Sequence, residues 1–259
     1  MKAAPLVFIT GASSGIGQAL ALRYAQAGWR LALVARRGAQ LEAWAREQGL
    51  DAERCVVYAA DVQQLDAIER AGRECIARQG LPDVVIANAG ISVGMDTAER
   101  EDLDVMRDTL EINLLGVAAT FHPFLAPMRE RRSGTLVGIA SVAAIRGLPG
   151  HGAYCASKAG VVAYCESLRG ECRSHGVRVV TLLPGFVATP LTARNRYAMP
   201  FLLSASQFAE RAYRAIAAGA SYRVIPWQMA IVAKLLRALP DAWFDRLMRG
   251  RGRKRRRHE

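Results

Sequence analysis

The amino-acid sequence predicts an α/β protein, a single domain built on a doubly wound parallel sheet and followed by a helical extension at the C-terminus. Two observations lead to this prediction. Continuous aliphatic and β-branched runs, which are typical of parallel strands buried on both faces, alternate with segments whose apolar residues recur every three or four positions. In addition, the first aliphatic run passes directly into a glycine-rich turn, as the first strand of such a sheet commonly does.

Six runs have the character of buried strands, and each is bounded by glycine, proline or a charged residue. In chain order they are PLVFIT, RLALVA, RCVVYAA, DVVIANAG, GTLVGIAS and RVVTLLPG. The amphipathic segments between them are predicted helices, among them GIGQALALRYAQAG and QLEAWAREQG. No internal repeat and no linker is visible before about Trp227. The expected division is therefore one domain over residues 1–226 and an extension over residues 227–259.

The composition predicts one large globular domain in a reducing compartment. A chain of 259 residues with 51% hydrophobic content is long enough to bury a sizeable core. The N-terminus has one lysine and a short apolar run before a glycine turn, which is typical of a buried strand and not of a signal peptide. The five cysteines are odd in number and scattered without metal-ligand spacing, which favours a reduced cytoplasmic protein with neither disulfides nor a metal site.

The turn after the first run carries Gly11, Gly15 and Gly17 in the pattern GxxxGxG. Glycines at a strand-to-helix turn let the backbone approach a pyrophosphate, which then rests on free amides at the helix N-terminus. This pattern predicts a dinucleotide site. The alternative is that the glycines only make a tight turn, because such turns need glycine for purely structural reasons.

The end of the second run bears on the choice of cofactor. An NAD site of this kind needs an acidic residue about 20 positions after the glycines to accept hydrogen bonds from the ribose 2′-hydroxyl. Here the sequence offers Arg36 and Arg37 instead. Guanidinium groups pair with a 2′-phosphate, so NADP(H) is predicted in preference to NAD(H). The alternative is a solvated loop that holds two arginines.

A serine, a tyrosine and a lysine stand in a fixed frame near the middle of the chain. Tyr154 follows Ser141 by thirteen residues, and Lys158 follows Tyr154 by four within a predicted helix. Residues four apart on a helix project from one face. A lysine cation beside a tyrosine should lower the pKa of the phenol from about 10, so that Tyr154 can act as general acid or base. Ser141 can donate a hydrogen bond to a developing oxyanion.

Together with other short motifs, these residues resemble the short-chain dehydrogenase/reductase family. The motifs are TGASSGIG, NAG at Asn88 to Gly90, Asn113 in EINLLG, Ser141, YCASK from Tyr154 to Lys158, and PGFVATP from Pro184 to Pro190. Their order and spacing match the family across residues 5–225. The resemblance implies a Rossmann-like sheet of about seven strands and a nicotinamide cofactor bound across the strand ends. It also implies a catalytic set made of Asn113, Ser141, Tyr154 and Lys158.

The resemblance further implies roles for individual residues. Lys158 would hold the nicotinamide ribose hydroxyls, and Asn113 would bend its helix and position a relay water through its backbone carbonyl. Asp61 and Val62 resemble the adenine-contacting pair of the family, although an aspartate after a strand is often only a helix cap. The implied cofactor contacts are Gly11, Ser13, Ser14, Gly15, Ile16, Gly17, Arg36, Arg37, Asp61, Val62, Asn88, Gly90, Tyr154, Lys158, Pro184, Gly185, Val187 and Thr189.

These residues predict an NADPH-dependent oxidoreductase that interconverts a ketone and a secondary alcohol. In the family the substrate pocket is closed by residues 91–95, by residues 143–151, and by the segment after Pro184, which here forms a lid at about residues 185–205. We assign no role to His151, which precedes Tyr154 in the loop near this pocket. Cys155 is interpreted as a small packing residue of the helix, because the sequence places no histidine or acid to activate its thiol.

The lid sequence bears on the substrate. Four of its side chains are large and apolar, namely Phe186, Leu191, Met199 and Phe201. They favour a hydrophobic or lipid-like carbonyl compound over a small charged sugar. The alternative is that they pack the lid against the domain.

Positive charge is concentrated at the C-terminus. The chain carries 35 Lys and Arg against 23 Asp and Glu, a net charge of +12, and the eight basic residues and one acidic residue of residues 246–259 supply +7 of it. Just before this basic end, residues 227–248 have apolar positions in an amphipathic pattern. Lys234 and Arg237 interrupt that pattern, so the segment is too polar to span a membrane.

Two interpretations of this extension remain open. It can lie as an amphipathic helix on an anionic membrane, at the inner face of the cell membrane. It can instead pack on the domain or across a dimer and end in a disordered basic tail. The corresponding alternative function is an NADP(H)-binding regulatory protein that uses the tail on a membrane or nucleic acid. Specific nucleic-acid binding is not expected, because a basic run supports only sequence-independent association. A homodimer or homotetramer is expected.

Overall fold

A computed structural model describes residues 3–50, 52–193, 195, 197–250 and 252–257 of the chain. The predicted lid includes residues 194 and 196, and the predicted basic tail includes residues 251, 258 and 259, which lie outside the described residues. Within the described ranges, no helix has both the length and the apolar character needed to cross a membrane.

A sheet of seven parallel strands forms the core and confirms the predicted fold class. The six aliphatic runs correspond to β1 (Leu6–Thr10), β2 (Arg30–Ala35), β3 (Cys55–Ala59), β4 (Val84–Ala87), β5 (Gly134–Ile139) and β6 (Val177–Pro184), of which β6 begins one residue before its run. The short strands β7 (Val187–Ala188) and β8 (Leu203–Ser204) form a separate pair. The seventh strand of the main sheet, β9 (Tyr222–Ile225), pairs with β6 at its edge. Because two of its four residues are exposed, β9 lacks the continuous apolar run by which the others were identified.

Helices connect the strands and cover both faces of the sheet. In chain order they are α1 (Gly15–Gln26), α2 (Gly38–Glu47), α3 (Leu65–Gln79), α4 (Asp102–Leu110), α5 (Gly116–Arg131), α6 (Gly152–Cys172), α7 (Ala205–Ala217), α8 (Trp227–Ala238) and α9 (Asp241–Met248). A π-helical turn, Glu111–Leu115, joins α4 to α5, and short 3-10 turns span Val142–Ala144 and Arg173–His175.

The strands bury side chains on both faces because successive residues point to opposite sides of a sheet. In β1, Leu6 and Phe8 belong to one hydrophobic core, and Val7 and Ile9 belong to the other. Helices α3, α5 and α6 cover the first core, and α1, α2 and α7 cover the second. Two-sided burial is the reason that these strands appear in the sequence as continuous apolar runs.

The order of the strands reverses at β1. Strands β2 and β3 lie on one side of β1 and the remaining strands lie on the other, so the order across the sheet is β3-β2-β1-β4-β5-β6-β9. The loops that leave the carboxyl ends of β1 and β4 therefore turn toward opposite faces of the sheet and leave a crevice between them. Open α/β sheets bind their ligands in a crevice of this kind.

Arg146 holds the helical extension against the domain. Its guanidinium donates to the carbonyl oxygens of Leu236 and Leu239 at 2.5 and 2.7 Å, and to the carboxylate of Asp241 at 2.9 Å. It also lies 3.9 Å from the ring centroid of Phe244. These contacts fix the junction between α8 and α9.

After α9 the chain turns back across the domain. The backbone amide of Gly94 donates to the carbonyl oxygen of Arg255 at 2.8 Å, and side chains of residues 252–257 make further polar contacts with the domain. The described part of the basic tail is therefore folded, which corrects the interpretation of a disordered tail.

Candidate active site

A cavity of about 460 Å³ lies in the crevice at the carboxyl ends of β1 and β4, and we call it the cofactor cavity. Of the predicted cofactor contacts, Gly17 alone lies outside its wall. Ser141 of the predicted catalytic set also lines the cavity, whereas the fully buried Asn113 lies behind the wall. The fold thus brings together residues that are far apart in the sequence.

The glycine turn at the end of β1 leaves no room for side chains. Gly11 and Gly15 have φ angles of 67° and 55°, a region that favours glycine. A Cβ atom on Gly17 would lie 2.2 Å from the carbonyl oxygen of Gly11, and one on Gly11 would lie 2.7 Å from the Cα of Ala89. Gly17 therefore supports the turn from within α1, while Gly11 and Gly15 shape the cavity floor.

Side chains from β1 and the end of β4 hold this turn in place. Thr10 Oγ1 accepts hydrogen bonds from the backbone amides of Asn88 and Ala89 at 3.1 and 3.3 Å. The Asn88 side-chain amide donates to the carbonyl oxygens of Thr10 and Gly11 at 3.0 and 3.2 Å. Asn88 thus lines the cavity but uses its donors on the turn itself. Sequence reasoning gave Thr10 no role of its own, although it is the first residue of the TGASSGIG motif.

The N-terminus of α1 forms another part of the wall, at Ser14, Gly15 and Ile16. The first amides of a helix have no intrahelical partner, and among the described residues the Ser14 side chain accepts no capping hydrogen bond from them. The first turn also contains no acidic residue. Free amides and the helix dipole suit a phosphate, so the glycine cradle and this terminus fit the pyrophosphate of a dinucleotide.

Two arginines and an aspartate line the same cavity near the ends of β2 and β3. The side chain of Arg36 is 66% exposed, and its Nη1 lies 3.8 Å from a carboxylate oxygen of Asp61. Arg37 is exposed directly before α2. Asp61 also accepts a hydrogen bond from the backbone amide of Gln63 at 3.1 Å, so it organises its own loop as well. Both guanidinium groups are accessible for a phosphate.

The π-helical turn buries Asn113 completely and aims its side chain at the loop after β4. Asn113 Oδ1 accepts from the backbone amide of Ile91 at 2.8 Å, and Nδ2 donates to the Ile91 carbonyl oxygen at 2.9 Å. Nδ2 also donates to Ser157 Oγ at 3.0 Å. The irregular turn accords with the bend expected here, and the role of the Asn113 carbonyl toward a water stays a prediction.

Ser157 extends this network into α6. The side chain is fully buried, and Oγ donates to the carbonyl oxygen of Tyr154 at 2.8 Å while accepting from Asn113. Sequence reasoning missed Ser157, although it stands inside the YCASK motif next to Lys158. Only its partner on a distant helix distinguishes it from ordinary helix filler.

Lys158 is almost fully buried, with 4% of its surface exposed. Its ammonium donates to the carbonyl oxygen of Ile139 at the end of β5 at 2.8 Å and lies 5.9 Å from the centroid of the Tyr154 ring. Burial lowers the pKa of Lys158 to about 8, an effect that nearby Cys165 opposes. The lysine therefore stays predominantly protonated at neutral pH.

Tyr154 behaves differently from the expectation drawn from its spacing to Lys158. Burial raises the pKa of the Tyr154 phenol, and a hydrogen bond with Ser141 opposes this effect without reversing it. The expectation of a lowered pKa is wrong for this structure, because desolvation of the phenolate decides the direction and the Lys158 ammonium is held on a carbonyl. Ser141 Oγ accepts from the amide of Ala143 at 3.2 Å, so its hydroxyl proton remains available for donation.

A second, larger cavity of about 1220 Å³, which we call the substrate cavity, meets the cofactor cavity at Ser141 and Tyr154. Its apolar wall contains Val142, Leu148, Phe186, Leu191, Met229, Val232, Leu236 and Met248. Of the four apolar lid residues, Phe186 and Leu191 line this cavity and Met199 and Phe201 do not. Phe201 is instead 49% exposed.

His151 and Cys155 lie close to Tyr154. His151 lines the substrate cavity, with Nδ1 3.2 Å from the Pro149 carbonyl oxygen and Nε2 3.4 Å from the Tyr197 hydroxyl. Burial lowers the pKa of His151, and the hydrogen bond to the Pro149 carbonyl opposes this effect without reversing it, so the neutral imidazole is favoured. Burial raises the pKa of the Cys155 thiol, which keeps it protonated and a poor nucleophile.

The described residues contain no cluster of His, Cys, Asp or Glu that could hold a metal ion.

Comparisons with known proteins agree on one family. The family model described as short chain dehydrogenase matches residues 5–199. An uncharacterized oxidoreductase of Myxococcus xanthus is 40% identical over 92% of this chain and 93% of its own length. The 11-beta-hydroxysteroid dehydrogenase-like 2 of Arabidopsis thaliana is 35% identical over 85% of this chain and 73% of its own. The alcohol dehydrogenase of Thermococcus sibiricus, solved with 5-hydroxy-NADP, is 28% identical with a TM-score of 0.75 over 86% of this chain and 96% of its own.

We expect the burial of Lys158 to make stability depend on pH. The pKa of Lys158 is about 8 in the folded protein, whereas a lysine in an unfolded chain keeps a pKa of about 10.4. Between these values the unfolded chain binds more protons at this position, so the free energy of unfolding should rise with pH. Relative to Lys158→Met, the wild-type protein should gain up to about 3 kcal/mol over this window, measured by urea denaturation. Parallel pH profiles for the two proteins would show that the ammonium is not desolvated.

Proposed function

The chain belongs to the short-chain dehydrogenase/reductase family of oxidoreductases, and from that premise we propose that it interconverts a ketone and a secondary alcohol with NADP(H). One observation carries this proposal. Ser141 and Tyr154 line both the cofactor cavity and the substrate cavity, so a carbonyl group in the second cavity can reach a cofactor in the first beside these two hydroxyls. This arrangement suits hydride and proton transfer to the same carbonyl group.

In the proposed mechanism the residues of the chain bind, orient and protonate. A bound nicotinamide dinucleotide supplies or accepts the hydride. The glycine turn and the N-terminus of α1 would hold its pyrophosphate, and Lys158 would hold the ribose next to the nicotinamide. Ser141 donates a hydrogen bond to the carbonyl oxygen of the substrate, and Tyr154 gives that oxygen its proton.

The electrostatics of the site support the reduction of a ketone at neutral pH. Because burial raises the pKa of Tyr154, the phenol carries the proton that this direction consumes. Lys158, with a pKa of about 8, remains predominantly cationic at pH 7 while its ammonium is held on the Ile139 carbonyl oxygen. The reverse reaction needs Tyr154 without its proton and is therefore favoured by higher pH.

The preference for NADP(H) rests on charge at the ends of β2 and β3. Arg36 and Arg37 line the cofactor cavity with exposed guanidinium groups, which suit a 2′-phosphate. The Thermococcus sibiricus alcohol dehydrogenase, whose fold this chain shares, was solved with 5-hydroxy-NADP. The proposed cofactor is therefore NADP(H) in preference to NAD(H).

The proposed substrate is a hydrophobic carbonyl compound or alcohol. The substrate cavity is large and is lined mainly by aliphatic, aromatic and thioether side chains from the lid and from α8. The Arabidopsis thaliana relative is named as a hydroxysteroid dehydrogenase-like protein, and this name accords with a hydrophobic substrate.

We also propose that the protein is cytoplasmic, where its five free cysteines stay reduced. We further propose that it forms a homodimer or homotetramer.

An exposed apolar face on the helical extension supports a further contact of the protein with a membrane surface. On α8, Trp227, Ile231 and Leu235 are 63%, 51% and 64% exposed at a spacing of four residues, and on α9 Trp243 is 71% exposed. Aromatic and aliphatic side chains of this kind insert into the interface of a bilayer. The basic tail contributes less than the sequence suggested, because Arg256 and Arg257 are paired with the carboxylates of Asp102 and Asp108. The same pairing disfavours a regulatory protein that offers a free tail to nucleic acid.

The proton-transfer role of Tyr154 can be tested with Tyr154→Phe. We expect this variant to bind NADPH as the wild type does and to lose turnover of a ketone by a factor on the order of 100 or more, because general acid catalysis is removed. NADPH binding is measured by fluorescence and turnover by NADPH oxidation. Turnover within a few-fold of wild type would overturn the assignment.

The cofactor preference can be tested with the double variant Arg36→Ala/Arg37→Ala. The binding of NADPH should weaken by at least about tenfold, while the binding of NADH should change little, because only NADPH carries the 2′-phosphate. Dissociation constants for both cofactors are measured side by side. Equal losses for the two would show that the arginines only support their loop.

The membrane contact can be tested by co-sedimentation with anionic vesicles. Leu235→Ala/Trp243→Ala should reduce binding by at least about tenfold, since each substitution removes apolar surface that would be buried in the bilayer. Leu65→Ala, which alters a 47% exposed leucine on α3, serves as the matched control and should leave binding unchanged. If the intact protein does not bind these vesicles at low salt, the membrane contact is excluded, and oligomer packing or a solvated extension remains.

A further inference from the structure

Residues 252–257, which we call the tail, form part of the wall of the substrate cavity. Gly252, Arg253 and Lys254 line this cavity next to α9. Lys254 Nζ donates to the carbonyl oxygen of Leu191 at 2.6 Å and to Oδ1 of Asn195 at 2.8 Å, which attaches the tail to the lid. The tail is therefore a structural element of the site and not an appendage.

The end of the tail is fastened to α4 and the loop before it. Arg256 Nε donates to the carboxylate of Asp102 at 2.7 Å, and its Nη1 lies 3.7 Å from the carboxylate of Glu99. Arg257 Nη2 donates to the carboxylate of Asp108 at 2.5 Å. Asp102 is fully buried, so a charged partner offsets much of the cost of removing its carboxylate from water. These ion pairs fix the tail across the cavity.

Two arginines in the wall of the substrate cavity differ from Arg256 and Arg257, because in the part of the chain that the structure describes they are not ion-paired with the domain. Arg249 and Arg253, which we call the rim arginines, are exposed, and within the described residues neither forms an ion pair with a carboxylate. The aliphatic part of Arg253 packs on Gly150, where an added Cβ atom would lie 3.2 Å from Arg253 Cβ and Cδ. The stem of Arg253 is thus held while its guanidinium remains available.

The other charged groups in the wall leave this end of the cavity positive. Asp245 is the single acidic residue among the described lining residues, and Lys254 adds a third cation beside the rim arginines. Arg146 also lines the cavity, but its guanidinium is occupied by the junction of α8 and α9. Three cations against one carboxylate create a positive potential over an otherwise apolar cavity.

We propose that the substrate cavity takes an amphipathic carbonyl compound, with an apolar body and an anionic end group held by the rim arginines. This inference rests on the proposed function and adds the chemical class of its substrate. The apolar body packs against the lid and α8, the carbonyl group reaches Ser141 and Tyr154, and the anionic end pairs with Arg249 and Arg253. A charge-assisted pair with a guanidinium orients the long axis of the substrate as well as binding it.

The inference is tested with matched neutral and anionic ketones. The probes are oxo acids with a ketone in mid-chain, from oxohexanoic to oxododecanoic acid, and their methyl esters. The wild-type protein should have a higher kcat/KM for the acid than for the ester at the chain length that spans the cavity. Arg249→Ala/Arg253→Ala should reduce this acid-to-ester ratio by at least about tenfold, mainly through KM, because the ion pair holds the ground state and the transition state alike.

A charge reversal and a remote control sharpen the test. Arg253→Glu should reduce the acid-to-ester ratio further than Arg253→Ala, because it places a like charge beside the anionic end. Arg211→Ala removes an exposed arginine of α7 that lines neither cavity, and it should leave the ratio unchanged. A wild-type ratio near one at every chain length, or an unchanged ratio in the rim variants, would overturn the inference.

The substrate class and the proposed function can fail independently. Reduction of the esters without preference for the acids would leave the ketone reductase standing and exclude the anionic end group. If neither probe is reduced, calorimetric titration of the protein with the oxo acids and esters tests the rim arginines by binding alone. Tighter binding of the acids, lost in Arg249→Ala/Arg253→Ala, would support the rim arginines, and equal binding of acid and ester would exclude them.

Discussion

The arrangement of the active site depends on one buried charge, the ammonium group of Lys158, which needs a hydrogen-bond partner. A charged lysine taken out of water costs several kcal/mol unless it finds partners, and the carbonyl oxygen of Ile139 supplies one for Lys158 at 2.8 Å. This hydrogen bond docks the first half of α6 on the end of β5. Tyr154 stands one helical turn earlier in the same helix, so the same contact holds it where the cofactor and substrate cavities meet. The requirement to satisfy one charge thereby positions the group that we propose to transfer the proton.

Hydrogen bonds and close contacts also fix the backbone around Lys158. Asn113 ties the loop after β4 to α6 through Ile91 and Ser157, and these bonds keep the backbone next to the ammonium in place. A Cβ atom on Gly90 would lie 3.2 Å from Asn113 Oδ1 and 3.5 Å from Lys158 Nζ, so a side chain there would compete for this space. A network with every buried polar group paired is rigid, and rigidity is what proton transfer to a fixed point requires.

The C-terminal charges serve two purposes that composition alone does not separate. Lys254, Arg256 and Arg257 anchor the tail on acceptors of the domain, whereas the rim arginines face the substrate cavity. The wall of the substrate cavity is therefore complete only when residues 252–257 have folded onto the domain. The apolar residues of α8 divide in the same manner, since Val232 and Leu236 line the cavity while Ile231 and Leu235 face outward.

The sequence by itself determined the features that local pattern encodes. Burial on both faces produces unbroken apolar runs, and six of the seven sheet strands were found from them, while β9, with two exposed residues, was not. The glycine pattern of the turn after β1 could also be recognised in the sequence, because positive φ angles and close backbone contacts there exclude other residues. Only the tertiary structure decided the partners of Asn113, the direction in which the pKa of Tyr154 moves, and the place of the tail. Each of these depends on burial or on contacts between residues far apart in the chain. Arg256 and Asp102, for example, are separated by 154 residues. The local spacing of apolar and polar residues cannot predict contacts of this kind.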